Sequence, residues 1–292
     1  MANRSWLFVP GDSERKLAKA PETGADAVIV DLEDAVAVEA KPAARELAAE
    51  WLAAHRPQVA TRRFERWVRI NPLDSPFWRD DLFAAMRGGP DGIVLPKSSG
   101  PEQVRQLTAE IYELEQRHGI ATGSTLIIPL VSETAAAAMT INAYVGVHLP
   151  RLGGLMWGAE DLSAAIGASR KYGVDGNWTA TFRMVRATVL LTAHACDVPA
   201  IDTLHADFRD DGGLVWMAAA ARADGFSGML AIHPSQVAPI NTAFTPSEAE
   251  LARARAIVAA FESSPGAGVV ALEGEMLDRP HLRLARRILG DE

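Results

Sequence analysis

The chain has 292 residues, 48% of them apolar, with 29 lysines and arginines against 37 acids and a formal net charge of −8. That length buries a substantial core, and the acidic balance argues against nucleic acid or an anionic membrane as the main partner, although a local basic cluster still suits a phosphate-bearing small ligand. The lone Cys196 excludes an internal disulfide and reads as a buried core thiol, no apolar stretch reaches the ~20 residues of a bilayer span, and MANRSWLFVPGD is no secretory signal, so a cytoplasmic protein is expected.

Eight short apolar runs follow in chain order, each closing on a polar or charged residue. Residues 5–9 form the first and stop at Pro10-Gly11, after which Asp12-Ser13 starts a helix over ERKLAKA. Residues 27–30 are a continuous run, as in a strand buried on both faces, and end in DLEDAV. Pro42 opens the next helix at a tolerated first-turn position. Residues 66–70 form the third strand, closed by Asn71-Pro72, and FWRDDLFAAM the third helix. Residues 93–95 precede Lys97, and Pro101 opens an amphipathic helix through His118. Residues 126–131 form the fifth strand, and Glu133 begins an alanine-rich helix. After a sixth strand at 155–157 comes a polar insertion, GASRKYGVDGNWT, of a length that is often functional, and it is expected to matter for substrate. A helix over 180–195, a strand at 199–203, a helix over 214–223 and a strand at 226–232 complete the series. This alternation predicts a (β/α)8 TIM barrel, whose strands deliver reactive groups to one rim. A barrel over 1–245 leaves a C-terminal extension, 246–292, with a helix, a PGAG turn, a hairpin-like VVALEGEMLD and a last helix.

The strand ends carry Asp12, Asp31, Glu33, Asp34, Arg69, Asn71, Lys97, Glu133, Glu160, Asp161, Asp202 and His233. A rim rich in carboxylates, with an arginine and a lysine, points to a divalent cation and an anionic substrate. Glu133 and Asp161 follow adjacent strands, and such a pair suits Mg²⁺, which takes few hard oxygen ligands from protein. They read equally as first-turn acids of their helices. Glu160 is the weaker ligand, because alternation along the strand turns it away. Arg69 either meets a ligand or pairs with the DLEDAV acids, since an unpaired buried guanidinium is very costly. Glu33 and Asp34 position a metal-bound water, orient Arg69 or cap the next element. Lys97 reads better as a charge partner of these acids than as a Schiff-base lysine. His233 is a weak metal signal and a better ligand contact. Lys16, in GDSERK, offers a cation to a phosphate at a helix start, or belongs to a plain capped helix.

In this order, LFVPGD, DLEDAV, VRIN, LPKS, SET, GAEDLS, GFSGMLAIHPSQVAPIN and EGEMLDRPHLRLAR resemble the citrate lyase β-subunit-like family of the HpcH/HpaI aldolase superfamily. The resemblance implies a Mg²⁺-dependent lyase acting on a CoA thioester of malyl or citramalyl type, with a 2-keto acid as the other product. It assigns the metal to Glu133 and Asp161, and substrate binding to Arg69. In the acyl-CoA lyase branch, MLDRP makes Asp278 the acid/base group, delivered by a neighbouring subunit of a homotrimer or dimer of trimers. Alternatives within the resemblance are a citrate lyase β subunit acting on an acyl-carrier-protein thioester, a class II pyruvate aldolase, and a thioesterase acting after cleavage. A barrel used only for binding is the alternative from another class. Where the family usually has Ile-Glu-Thr, this chain has Ser132-Glu133-Thr134, which is expected to alter the pocket wall.

Overall fold

A computed structural model describes residues 3–56 and 64–290. The eight expected strands are present: β1 (Ser5–Pro10), β2 (Ala27–Asp31), β3 (Glu65–Arg69), β4 (Gly92–Leu95), β5 (Leu126–Pro129), β6 (Leu155–Met156), β7 (Ala200–Asp202) and β8 (Gly228–Ala231). Within this sheet neighbouring strands pair in parallel, in the order β5-β4-β3-β2-β1-β8-β7-β6. The two edges meet through the bridges Ile127↔Leu152 and Leu130↔Met156, and these close the TIM barrel. Between strands run α1 (Glu14–Lys19), α2 (Lys41–Ala54), α3 (Trp78–Gly88), α4 (Pro101–His118), α5 (Ala135–Met139), α6 (Ala159–Ala165), α7 (Ala180–Ala195) and α8 (Asp211–Asp224), and α9 (Val237–Ala243) follows β8. Among the described residues no helix is long and apolar enough to cross a membrane.

Alternation along each strand sorts its side chains. Trp6, Ala27, Ile29, Trp67, Val94, Ile128, Leu130, Met156, Ile201 and Leu230 fill the barrel interior. The Trp6 and Trp67 rings meet edge to face, 5.2 Å between centroids, and Gly92 is required beside them because a Cβ there would lie 2.1 Å from the Trp67 ring. Two residues beyond Ile29 and Trp67, the same alternation turns Asp31 and Arg69 inward at the rim, where they are register partners.

The opposite end is stapled by a buried ion pair. Arg151 forks onto Glu115 at 2.7 and 2.6 Å, and Glu115 also accepts the Gly123 and Thr125 N–H groups at 2.8 and 3.0 Å. Burial pushes the Glu115 carboxyl up, but the Arg151 fork and the two N–H donors bring it net below the ordinary value. A depressed carboxylate stabilises the fold above its unfolded pKa, and that contribution is lost as pH falls through the folded value. Arg151→Ala is expected to cost about 3–5 kcal/mol at neutral pH. Thermal melts should show the gap between parent and variant shrinking below about pH 4; a gap independent of pH would rule the assignment out.

The element bounds differ from the sequence reading by a few residues, and three corrections matter. The fifth helix begins at Ala135, N-capped by Thr134 Oγ1, which accepts the Ala137 N–H at 3.1 Å, so Glu133 lies outside it. Cys196 is only half-buried, at the C-cap of α7, with Sγ 3.5 Å from the Tyr144 carbonyl. The insertion is ordered by aromatics: Tyr172 and Trp178 pair across an antiparallel bridge, their rings 4.3 Å apart, and Trp178 meets Trp157 edge-on.

The chain divides into two compact units, the barrel unit through Thr242 and a second from Ala243 onward. The second holds α10 (Glu248–Glu262), the antiparallel hairpin β9 (Val269–Leu272) and β10 (Glu275–Asp278), and α11 (Arg279–Leu289). Its core is Ala254, Ile257, Phe261, Val270, Leu277 and Ala285. Ser247 and Glu250 form a reciprocal capping box at the start of α10, as the sequence Ser-x-x-Glu requires.

Candidate active site

The strand ends of β2 to β6 bring five acids and two cations together. Arg69 donates from Nε and Nη2 to the two Asp31 oxygens at 2.8 and 2.6 Å. Its Nη1 lies 2.9 Å from Glu33 Oε2 but outside hydrogen-bond geometry, so that buried oxygen has no donor among the described residues. The guanidinium also sits over the Phe8 ring, 4.8 Å from its centroid. Burial works against its charge, yet Asp31, Glu33 and Glu133 hold it well above its ordinary pKa. Arg69 is therefore a fixed cation.

Lys97 serves the cluster twice. Its Nζ donates to Glu33 Oε1 at 2.5 Å and to Asp34 Oδ2 at 3.0 Å. Its backbone N–H donates to Glu133 Oε2 at 2.5 Å. Lys97 makes that second bond at φ +49°, a left-handed conformation costing a non-glycine residue about 1–2 kcal/mol. Burial lowers the ammonium's pKa, but Glu33 and Asp34 raise it net above the ordinary value. An ammonium held this way is a charge partner of the two acids.

Glu133 is buried between β5 and α5. Burial, then the charges of Asp161 and Glu33, push its carboxyl up to about 8, against Arg69 and the Lys97 N–H. Asp161 is the third residue of α6, half-buried, in the first turn. Among the described residues neither carboxylate has an ion-pair partner, because Arg69 and Lys97 bond Asp31, Glu33 and Asp34. A buried acid beside a second acid, raised in pKa by burial and by its acidic neighbours, is the donor set that a hard divalent cation satisfies. The residues present fit Mg²⁺.

The remaining sequence candidates lie apart from these contacts. Glu160 is exposed and pairs with Lys171 of the insertion. Lys16 is exposed on α1. His233 is exposed, stacks on Phe208 at 4.9 Å and accepts the Ser235 N–H at 3.2 Å as the cap of the turn after β8. Asp202 is a brace: Oδ1 accepts from Trp157 Nε1 and the Thr203 N–H at 2.6 and 2.9 Å, and Oδ2 from Arg186 at 2.9 and 2.8 Å. In the C-terminal unit, Asp278 caps α11 and its Oδ1 lies 2.6 Å from His281 Nδ1, both side chains half exposed.

Sequence reasoning missed Lys41. Its buried Nζ donates to the Leu32 and Glu33 carbonyls at 2.8 and 3.0 Å, fixing the backbone that aims Glu33. Asn71 Nδ2 donates to the same Leu32 carbonyl at 2.8 Å and is held by Asp81. A signal was present, since a lysine at the first position of a helix opposes the helix dipole and needs another reason to be there.

The HpcH/HpaI aldolase/citrate lyase family model matches residues 4–234. A citrate lyase subunit beta-like protein of Deinococcus radiodurans is 35% identical, with 99% of this chain and 97% of that protein aligned. The mitochondrial citramalyl-CoA lyase of Rattus norvegicus is 33% identical over 98% of this chain and 85% of its own. Among solved structures, CitE from Mycobacterium tuberculosis in complex with magnesium, acetoacetate and coenzyme A superposes with a TM-score of 0.78 at 35% identity, covering 99% of this chain and 97% of that one. With an unpaired carboxylate couple at the mouth of a parallel barrel, and likeness of this extent along nearly its whole length, the chain belongs to the HpcH/HpaI aldolase/citrate lyase family.

Proposed function

We propose that this protein is a Mg²⁺-dependent carbon–carbon lyase that splits a β-hydroxyacyl-CoA of malyl or citramalyl type into an acyl-CoA and a 2-keto acid. The observation that carries this reading is the pair Glu133 and Asp161, two carboxylates held at one rim without a cation of their own. The relative named a citramalyl-CoA lyase and the CitE structure holding magnesium, acetoacetate and coenzyme A supply the reaction class. Residues 1–245 serve as the catalytic barrel and 246–292 as an extension completing a neighbour's site, in a homotrimer or dimer of trimers.

Glu133 and Asp161 would hold Mg²⁺, which supplies Lewis-acid polarisation of the substrate's hydroxyl and carboxylate oxygens. Arg69, locked in orientation by Asp31 and Glu33, stabilises the negative charge that the substrate oxygen carries once its proton has left. Lys97, itself held by Asp34, holds Glu33, so that Arg69 needs no reorganisation during the reaction. The hydroxyl proton leaves to solvent and the O–H pair forms the keto C=O, while the C–C bonding pair passes to the α-carbon of the acyl thioester; Asp278, itself reprotonated from solvent, delivers a proton there. Lys16 and His233, both exposed, contact the polar part of the thioester.

The test is release of 2-keto acid from purified malyl-CoA and citramalyl-CoA, with no other subunit present. We expect turnover with Mg²⁺, none after EDTA, and recovery on adding Mg²⁺ back. Full activity in EDTA refutes the proposal, and activity confined to an acyl-carrier-protein thioester points to the citrate lyase subunit instead.

A further inference from the structure

The weakest part of the barrel ladder is the seam at which the site is built. Among the described residues, the segments around β5 and β6 are joined by isolated bridges, the last being Leu130↔Met156, with the Val131 N–H on the Met156 carbonyl at 3.0 Å. Beyond it the main-chain ladder stops, and Glu133 and Asp161 lie on either side. Two buried hydroxyls continue the connection. Ser132 Oγ accepts the Gly158 N–H at 3.1 Å, and Thr203 Oγ1, reaching over from the end of β7, accepts the Ala159 N–H at 3.1 Å. Gly158 is the N-cap of α6 and Ala159 its first residue, so the two bonds tie the turn carrying Asp161 to both neighbouring strands. They also satisfy two N–H groups that a helix start leaves without intrahelical partners.

Gly158 shows what this tether achieves. Its φ of −115° is open to any residue, so glycine is not there for backbone freedom. A Cβ at this position would lie 3.1 Å from Glu133 Cγ and 3.3 Å from its Oε1. The turn therefore packs directly on the Glu133 carboxylate. Asp161 repels Glu133 through its charge, and the two hydroxyl bonds oppose their separation. Thr203 is itself braced, because its N–H donates to Asp202, which Trp157 and Arg186 grip from the other side. Ser132 is fully buried.

We propose that Ser132 and Thr203 are positioning residues for the divalent ion: their hydroxyl oxygens hold the α6 turn against Glu133 and so set the separation of Glu133 and Asp161. This rests on reading those two acids as the ion-binding pair. Groups that orient metal ligands typically account for 10- to 100-fold in metal affinity.

The test measures Mg²⁺ binding by titration calorimetry, with Mn²⁺ as a paramagnetic probe, on the parent, Ser132→Ala, Thr203→Val, the double variant and the conservative Thr203→Ser. We expect each single removal to weaken binding about ten-fold and the double variant more. Thr203→Ser should restore parental affinity, and kcat at saturating Mg²⁺ should change far less than the Mg²⁺ requirement. If the double variant does not fold, the single variants and Thr203→Ser decide the matter. Parental Mg²⁺ affinity in folded Thr203→Val and Ser132→Ala overturns the proposal. Glu133→Gln, run in parallel, separates the two levels. Lost binding in that variant with none lost in the hydroxyl variants defeats only the positioning role, whereas retained binding defeats the ion-pair reading and this inference with it.

Discussion

Replacing Glu133 by glutamine is expected to lower kcat/KM by on the order of 10³-fold while leaving the fold intact or firmer, several kcal/mol of Lewis-acid stabilisation being at stake. The substitution keeps the shape and the capacity to accept the Lys97 N–H and removes a charge. In the protein without metal that charge is a burden, because burial and the nearby Asp161 and Glu33 all oppose it. The melting temperature without Mg²⁺ should therefore match or exceed the parent's, as is common where a site is assembled at the expense of stability. The parent should gain about 2.7 kcal/mol at a Mg²⁺ concentration 100 times its Kd, and the variant nothing. Asp161→Asn should follow the same pattern, more mildly for a half-exposed group. A variant that kept both its Mg²⁺-dependent melting shift and its turnover would show that the ion is held elsewhere.

The barrel was legible for a physical reason. Strands covered by helices on one side and packed core on the other must be apolar throughout, and AVIV, GIVL and LIIP can do little else. The site was legible at the same places, because a polar residue that ends such a run can only sit at the rim. Periodicity could not tell what each rim residue touches. Asp202 and Asp31 end strands in the same way, yet one braces a tryptophan and an arginine of the wall and the other aims Arg69. That difference depends on which side chain the neighbouring strands present, which is tertiary information. The hydroxyls of Ser132 and Thr203 were hidden for the same reason, since a serine at a strand end has no local pattern announcing that its partner is an N–H 26 residues away. Lys41 is the intermediate case, with a local anomaly visible and its cause visible only in three dimensions.

Removing Arg69 should be the other severe lesion, of a different kind. Arg69→Ala leaves Asp31 and Glu33 buried without their main countercharge, a loss of about 3–5 kcal/mol of stability. It also deletes the fixed cation facing the developing oxyanion, a loss on the order of 10²–10³ in kcat. Arg69→Lys separates the two, because an ammonium keeps the charge and loses the fork onto Asp31. It should recover much of the stability and little of the rate. Mg²⁺ affinity should change less than in the Glu133 variant, as Arg69 bonds neither acid of the pair. The same variant probes the proposed shared site. Asp278→Asn alone and Arg69→Ala alone should each be nearly inactive. If each site takes Arg69 from one subunit and Asp278 from another, co-refolding equal amounts makes about a quarter of the sites intact. Activity rising toward that fraction supports a composite site. Mixed oligomers that stay as inactive as either parent would place both residues within one chain's site.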